Sequence, residues 1–181
     1  MQLTDISKTI LNIESSTKEL EHALNAFAEM CSDISGIEPS ICYQAWSGDT
    51  LLSNGVAIDP KAAAYCVKDY QRSVAFMRGV YAALKSLRAR ANQQTPTKLL
   101  YAGCGPFATL LLPLLPLFDE QDLCITLLDI HEESLESVRR LIESMGLSRY
   151  KISTVCEDAC SYRHGELLDM IVVETMQKAL E

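Results

Sequence analysis

A glycine turn between two apolar runs constrains the fold of this chain more than any other stretch. Residues 98–111 read KLLYAGCGPFATLL, so one short apolar run leads into Gly103 and Gly105 and a second run follows directly. This pattern predicts a strand, a tight turn and a helix, which is how a nucleotide-binding α/β sheet begins. Glycine suits such a turn because a side chain would keep the backbone away from a ligand.

Three further apolar runs follow the turn, and acidic residues end each of them. The runs and their acids are 121–128 with Asp129, 150–156 with Glu157 and Asp158, and 167–173 with Glu174. Ligands of open parallel sheets bind at the carboxyl ends of the strands, where these acids would lie. The first acid follows the turn at near the spacing of a carboxylate that accepts hydrogen bonds from ribose hydroxyls. We therefore expect an α/β fold with a parallel sheet of four strands.

Apolar residues recur at helical spacing in three other stretches. These are 4–34, which fits one or two helices, 60–91, which has room for one break, and 132–145, which ends at a glycine. Asp59 and Pro60 form a good helix start, because aspartate caps free N–H groups and proline has the backbone geometry of a first turn. The sheet is thus expected to follow an N-terminal helical segment and a loop.

Charge and cysteine usage narrow the classes of partner. The chain has 16 basic and 24 acidic residues, a net charge of -8, which argues against nucleic acid or an anionic membrane as a partner. Its seven cysteines lie mostly in apolar runs without a Cys-x-x-Cys pair, which favours buried thiols in a reducing cytoplasm over a metal site.

The first residues lack a signal-peptide pattern, so we expect a cytoplasmic protein. No nucleophile or metal ligand lies at a characteristic sequence spacing from His22, His131 or His164, so these histidines are expected at the surface.

From residue 59 onward the chain resembles the class I S-adenosylmethionine-dependent methyltransferases, which have a Rossmann-like sheet. The resemblance implies that the four strands, numbered in chain order, lie in the order 3-2-1-4. The turn YAGCG looks like their first motif, and the acids after the second and third strands occur at the matching places. The resemblance implies that S-adenosylmethionine is the cofactor. It also implies the contacts: the methionine part at Gly103, Cys104 and Gly105, the ribose at Asp129, and the adenine amino group at Glu157 or Asp158.

A narrower likeness is to the protein arginine methyltransferases. Residues 67–80 resemble the helix that precedes their sheet, and in that family its arginine, here Arg72, pairs with the carboxylate of the cofactor. Residues 173–176 are similar to the start of their double-glutamate loop, where acids bind the substrate guanidinium. The resemblance thus implies N-methylation of an amine or guanidinium on a small molecule or protein, with Glu174 as the catalytic acid.

The chain also departs from these families. Residues 106–108 replace the third glycine of the first motif, Glu181 follows Glu174 by fewer residues than the second acid of the loop, and the later strands of the family sheet are missing. We therefore expect 1–58 to be an N-terminal helical segment and loop, and 59–181 to be a helix plus the N-terminal half of a cofactor-binding domain.

Two alternatives to an enzyme of this family stay open. The first is a non-catalytic module that binds the cofactor or a partner, because an open fourth strand invites a homodimer or a complementing chain. The second, a nicotinamide-dependent reductase, is disfavoured because the turn departs further from Gly-x-Gly-x-x-Gly and no hydride-transfer set follows it.

Overall fold

The computed structural model describes residues 1–40, 49–52, 55–90 and 95–175, so the predicted position of Glu181 lies outside the described residues. The α-helices are α1 (Leu3–Leu11), α2 (Thr17–Ser35), α3 (Pro60–Tyr65), α4 (Tyr70–Arg90) and α5 (Glu132–Ser144). The strands are β1 (Thr50–Leu52), β2 (Gly55–Ala57), β3 (Thr97–Ala102), β4 (Leu123–Asp129), β5 (Lys151–Cys156) and β6 (Met170–Val173). Two 3-10 helices lie at Cys66–Lys68 and Leu112–Leu117.

The main sheet has four parallel strands in the order β5-β4-β3-β6. The predicted α/β fold, the parallel sheet and the order 3-2-1-4 are therefore confirmed, and the architecture is compatible with a Rossmann-like fold. The chain steps outward from β3 to β4 and β5, and then returns to the other side of β3 to form β6. In open α/β sheets such a reversal opens a crevice at the carboxyl ends of the strands, where ligands bind.

The helix predicted directly after the glycine turn is wrong. Residues 103–111 form turns, and a 3-10 helix at Leu112–Leu117 follows them. Proline at 113 and 116 supplies no N–H for an α-helical ladder, and Ala108 has a φ of +41°, outside the right-handed helical region. The segment remains apolar and buried because it fills the core, where the Tyr150 hydroxyl donates to the carbonyls of Leu115 and Phe118 at 2.6 and 3.0 Å.

The other helix predictions are confirmed. Residues 4–34 fold as α1 and α2, and α2 begins with a capping box in which Ser16 and Glu19 satisfy each other's backbone N–H groups. The stretch 60–91 breaks once, at Asp69, between the 3-10 helix and α4. The loop between the N-terminal helices and α3 holds more order than the sequence predicted, since β1 and β2 pair as a short antiparallel hairpin.

The two faces of the main sheet differ in cover. One face packs against the helices in a single large core, to which β3 and β4 contribute Leu99, Tyr101, Ile125 and Leu127. The other face has a small cluster around Leu100, Ala102 and Leu128, under Tyr162 and Leu168. The β6 residues in register with the first two of these, Ile171 and Val173, are each 56% exposed. The edge strand β6 therefore leaves apolar surface open to solvent.

The cysteines that the structure describes are only partly buried. Cys31 and Cys104 are buried as expected, but Cys156 and Cys160, at and beyond the carboxyl end of β5, are exposed. Among the helices of the described ranges, none combines the length and the apolar character needed to cross a membrane.

Candidate functional site

The glycine turn follows the carboxyl end of β3 and lies against the carboxyl end of β6. Gly103 has a φ of +71°, and a Cβ there would lie 2.7 Å from the backbone oxygen of Glu174. Glu174 in turn donates its N–H to the carbonyl of Ala102 at 2.9 Å, which extends the β3–β6 ladder by one residue. The close approach that requires glycine at 103 is thus made by the end of β6. The backbone of Glu174 is held against the turn.

The side chain of Glu174 is held from two sides. Arg72 Nη2 donates to Oε1 at 3.0 Å, and the hydroxyl of Tyr101 donates to Oε2. Asp69 places Arg72 here, because its carboxylate accepts the Arg72 backbone N–H at 3.3 Å in the first turn of α4. The side chains of Arg72 and Glu174 are 39% and 21% exposed, so a ligand can still reach the pair. The sequence placed both residues at the site, but it did not predict that they bond to each other.

Tyr101 is a site residue to which the sequence assigned no contact of its own, since it appeared only in an apolar strand and at the start of the glycine motif. It is fully buried, and burial together with the neighbouring carboxylate of Glu174 raises the pKa of its hydroxyl well above the usual value. The hydroxyl therefore keeps its proton at neutral pH and donates a hydrogen bond to Glu174. A polar hydroxyl one residue before Ala102, at the carboxyl end of an apolar strand, is the signal that could have identified it.

Asp129 ends β4 and fixes the other side of the turn. Its Oδ2 accepts the backbone N–H of Gly105 at 2.8 Å, and its Oδ1 accepts the backbone N–H of His131 at 2.9 Å. The residue is only 8% exposed. Each carboxylate oxygen has a second lone pair, so Asp129 can shape the turn and still accept a hydrogen bond from a ligand.

His131 is part of the site, and its predicted place at the surface is wrong. Its side chain is 16% exposed, with Nδ1 3.4 Å from Oδ1 of Asp129 and Nε2 3.1 Å from Oγ1 of Thr50 in β1. The imidazole thereby links the hairpin to the carboxyl end of β4. The sequence signal was the Asp-x-His spacing at the end of a strand, because an aspartate side chain commonly accepts the backbone N–H of the residue two positions later.

The two acids after β5 differ in their surroundings. Glu157 is exposed, and its backbone N–H donates to the carbonyl of Asp129 at 3.1 Å, so it lies beside the β4 end. The Asp158 carboxylate accepts the backbone N–H of Cys160 at 2.9 Å and closes a local turn. The Glu157 carboxylate accepts a long hydrogen bond from the Ser161 hydroxyl at 3.5 Å. Of the two predicted adenine contacts, Glu157 is therefore the more exposed and the more weakly bonded.

Cys104 lies inside the turn with its thiol buried. Burial, with the nearby carboxylates of Asp129 and Glu174, raises the pKa of this thiol well above the usual value. A thiol that stays protonated is a poor nucleophile. Its backbone N–H donates to the carbonyl of Leu128 at 3.2 Å. In this structure Cys104 thus serves the shape of the turn.

The predicted site residues form two adjoining groups on either side of the turn. Arg72, Tyr101 and Glu174 form one group, whose Glu174 lies against Gly103. Asp129 forms the second group with Gly105 and His131, and Glu157 lies beside the end of β4. The arrangement presents one cation and several carboxylates at the carboxyl edge of a parallel sheet. No protein-family model matches the chain, and a search of curated proteins finds no significant relative. The α/β fold and this geometry are therefore the ground on which function is inferred.

Proposed function

We propose that this chain binds S-adenosylmethionine and forms the cofactor-binding part of a methyltransferase whose acceptor is an amine or a guanidinium. The observation that carries the proposal is that Arg72, the glycine turn and Asp129 converge at the carboxyl edge of β3 and β4, where the sheet reverses its strand order. Ligands with a nucleoside part bind at this position in α/β folds.

The chemistry of the residues fits the parts of this cofactor. The guanidinium of Arg72 has five N–H groups, so it can bind a carboxylate while Nη2 holds Glu174. The remaining lone pairs of Asp129 suit ribose hydroxyls, and the exposed carboxylate of Glu157 suits the amino group of adenine. When bound, S-adenosylmethionine would supply an activated methyl group on a sulfonium centre.

The acidic character of the edge favours a cationic cofactor and a basic acceptor. Asp129, Glu157 and Glu174 all lie at this end of the sheet, and a negative potential raises the local concentration of cations. A protein that transfers a methyl group from a sulfonium mainly has to align the two reactants and exclude water from them. The ordered turn between β3 and β6 provides a fixed support for such alignment.

Isothermal titration with S-adenosylhomocysteine, the demethylated product, tests this proposal. We expect micromolar binding, about -8 kcal/mol, and a roughly tenfold to hundredfold loss in Arg72→Ala, because a charged hydrogen bond is removed.

Lys98→Ala is the matched control for this titration. Lys98 forms an ion pair with Glu166 at the amino end of the same β3 strand, and its side chain is also 39% exposed. Its removal should leave the affinity unchanged. A folded chain that fails to bind either S-adenosylmethionine or its product would refute the proposal.

A second candidate function is favoured by the exposed apolar surface of β6. This strand is at the edge of the described sheet, and its sequence MIVV contains neither a charge nor a proline to block pairing. The candidate is a partner-binding module in which a second copy of the chain pairs with the edge of β6.

Sedimentation equilibrium distinguishes this candidate from the first. If a second copy binds β6, wild-type protein should be dimeric at micromolar concentration, and Val173→Lys should shift it to monomer because an edge lysine opposes strand pairing. Leu51→Lys, at a 78% exposed position on the hairpin, should not change the mass. Monomeric wild-type protein would exclude this function.

A further inference from the structure

The paired side chains of Arg72 and Glu174 present two opposite charges of fixed spacing to solvent. The nitrogen and oxygen that bond are 3.0 Å apart, and both side chains are partly exposed. In an α-amino acid the ammonium nitrogen and the nearer carboxylate oxygen are separated by about 2.7 Å, from standard bond lengths and angles. The ion pair and a zwitterion therefore match in both sign and spacing.

We propose that Glu174 binds the α-ammonium of the ligand's amino-acid end, beside the carboxylate that the proposed function already assigns to Arg72. This inference rests on the proposed function, since it concerns the methionine part of the same cofactor. It assigns to Glu174 a contact with the ligand ammonium instead of the acceptor guanidinium that the resemblance implied. Each charge then faces its opposite in a closed set of four.

The surroundings of Glu174 suit this role. Its backbone is fixed by the hydrogen bond to Ala102 and by contact with Gly103, while the hydroxyl of Tyr101 fixes Oε2. A carboxylate that is oriented before binding loses little conformational freedom when an ammonium arrives. Tyr101 is accordingly a positioning residue, which acts through Glu174.

Recognition of both charges also explains why the pair is not fully buried. A ligand could reach a completely buried ion pair only if the surrounding residues moved away. The ligand's own charges would then lose their hydration at a high free-energy cost. At 39% and 21% exposure, the outer lone pairs and N–H groups are accessible while the pair stays intact. The ligand adds to the pair and does not have to replace either member.

The test compares two probes by isothermal titration: S-adenosylhomocysteine, which carries the amino-acid end, and 5′-methylthioadenosine, which lacks it. In Glu174→Gln we expect about tenfold weaker binding of the first probe, the loss of one charged contact, and unchanged binding of the second. Tyr101→Phe should weaken the first probe in the same direction by a smaller factor. Glu166→Gln, in the ion pair at the opposite end of β3, is the control and should change neither affinity.

The outcomes separate this inference from the proposed function. If wild-type protein binds S-adenosylhomocysteine and Glu174→Gln leaves the ratio of the two affinities unchanged, the inference is refuted while cofactor binding stands. If the wild-type chain binds neither probe, both are refuted. Thermal denaturation of each variant shows whether it is folded, and Tyr101→Phe provides the answer should Glu174→Gln not fold.

Discussion

Replacement of Gly103 by alanine is expected to lower the free energy of unfolding by about 3 kcal/mol. A residue with a side chain at a φ of +71° costs about 1 kcal/mol, and the new methyl group would lie 2.7 Å from the backbone oxygen of Glu174. Relief of that clash requires β6 to move away from the turn, at a cost typical of overpacking, about 2 kcal/mol. Urea denaturation followed by circular dichroism measures the loss.

Gly36→Ala is the matched control for this substitution. Gly36 has a φ of +77°, yet a Cβ there would meet no atom within 4 Å. It should therefore show the backbone cost alone, about 1 kcal/mol. Equal destabilisation by the two substitutions would mean that the end of β6 is not held close to Gly103, because the added methyl group would then cause no clash.

Asp129→Ala should have the second large effect, on both stability and ligand binding. It removes the acceptor of the backbone N–H groups of Gly105 and His131, and Asp129 itself is only 8% exposed. Two N–H groups left without partners cost about 3 kcal/mol in total. Loss of these hydrogen bonds also releases the turn, so the affinity for S-adenosylhomocysteine should fall by at least about tenfold. The reason is that Asp129 both holds the turn in shape and faces the ligand site.

Asp129→Asn distinguishes the two roles of this carboxylate. The amide keeps one oxygen for one backbone N–H group, while its nitrogen faces the other donor, so the loss of stability should be smaller than in the alanine variant. Urea denaturation gives the stability and titration gives the affinity of each variant. If Asp129→Ala unfolds at the same urea concentration as wild type, the assigned hydrogen bonds to the turn are wrong.

The sheet could be predicted from sequence because its signal is local. Each strand is a short apolar run that ends in the glycine turn or in acids, whereas the order of the strands was expected only from the resemblance to a Rossmann-like sheet. The failed helix after the turn shows the limit of the same method: 106–111 have helical apolar spacing, but prolines and burial in the core decided the backbone. Periodicity alone does not separate a core helix from an apolar coil.

The contacts inside the site could not be predicted, because they join residues far apart in sequence. Arg72 and Glu174 were each identified by resemblance, while the bond between them depends on how α4 lies over the sheet. Tyr101 and His131 were missed because an apolar strand and a lone histidine each have an ordinary structural interpretation. Their roles emerge only from partners supplied by β6 and by the hairpin.

The position of β6 has a consequence for how the protein folds. Arg72 and Glu174 are separated by 102 residues, and contacts at such separation form late because a long loop must first close. During synthesis, β3, β4 and β5 can pair before β6 emerges, so the paired charges would be assembled as the last step of sheet formation. A ligand that binds both side chains would then stabilise the sheet with β6 in place, because it binds the folded state and not the unfolded one.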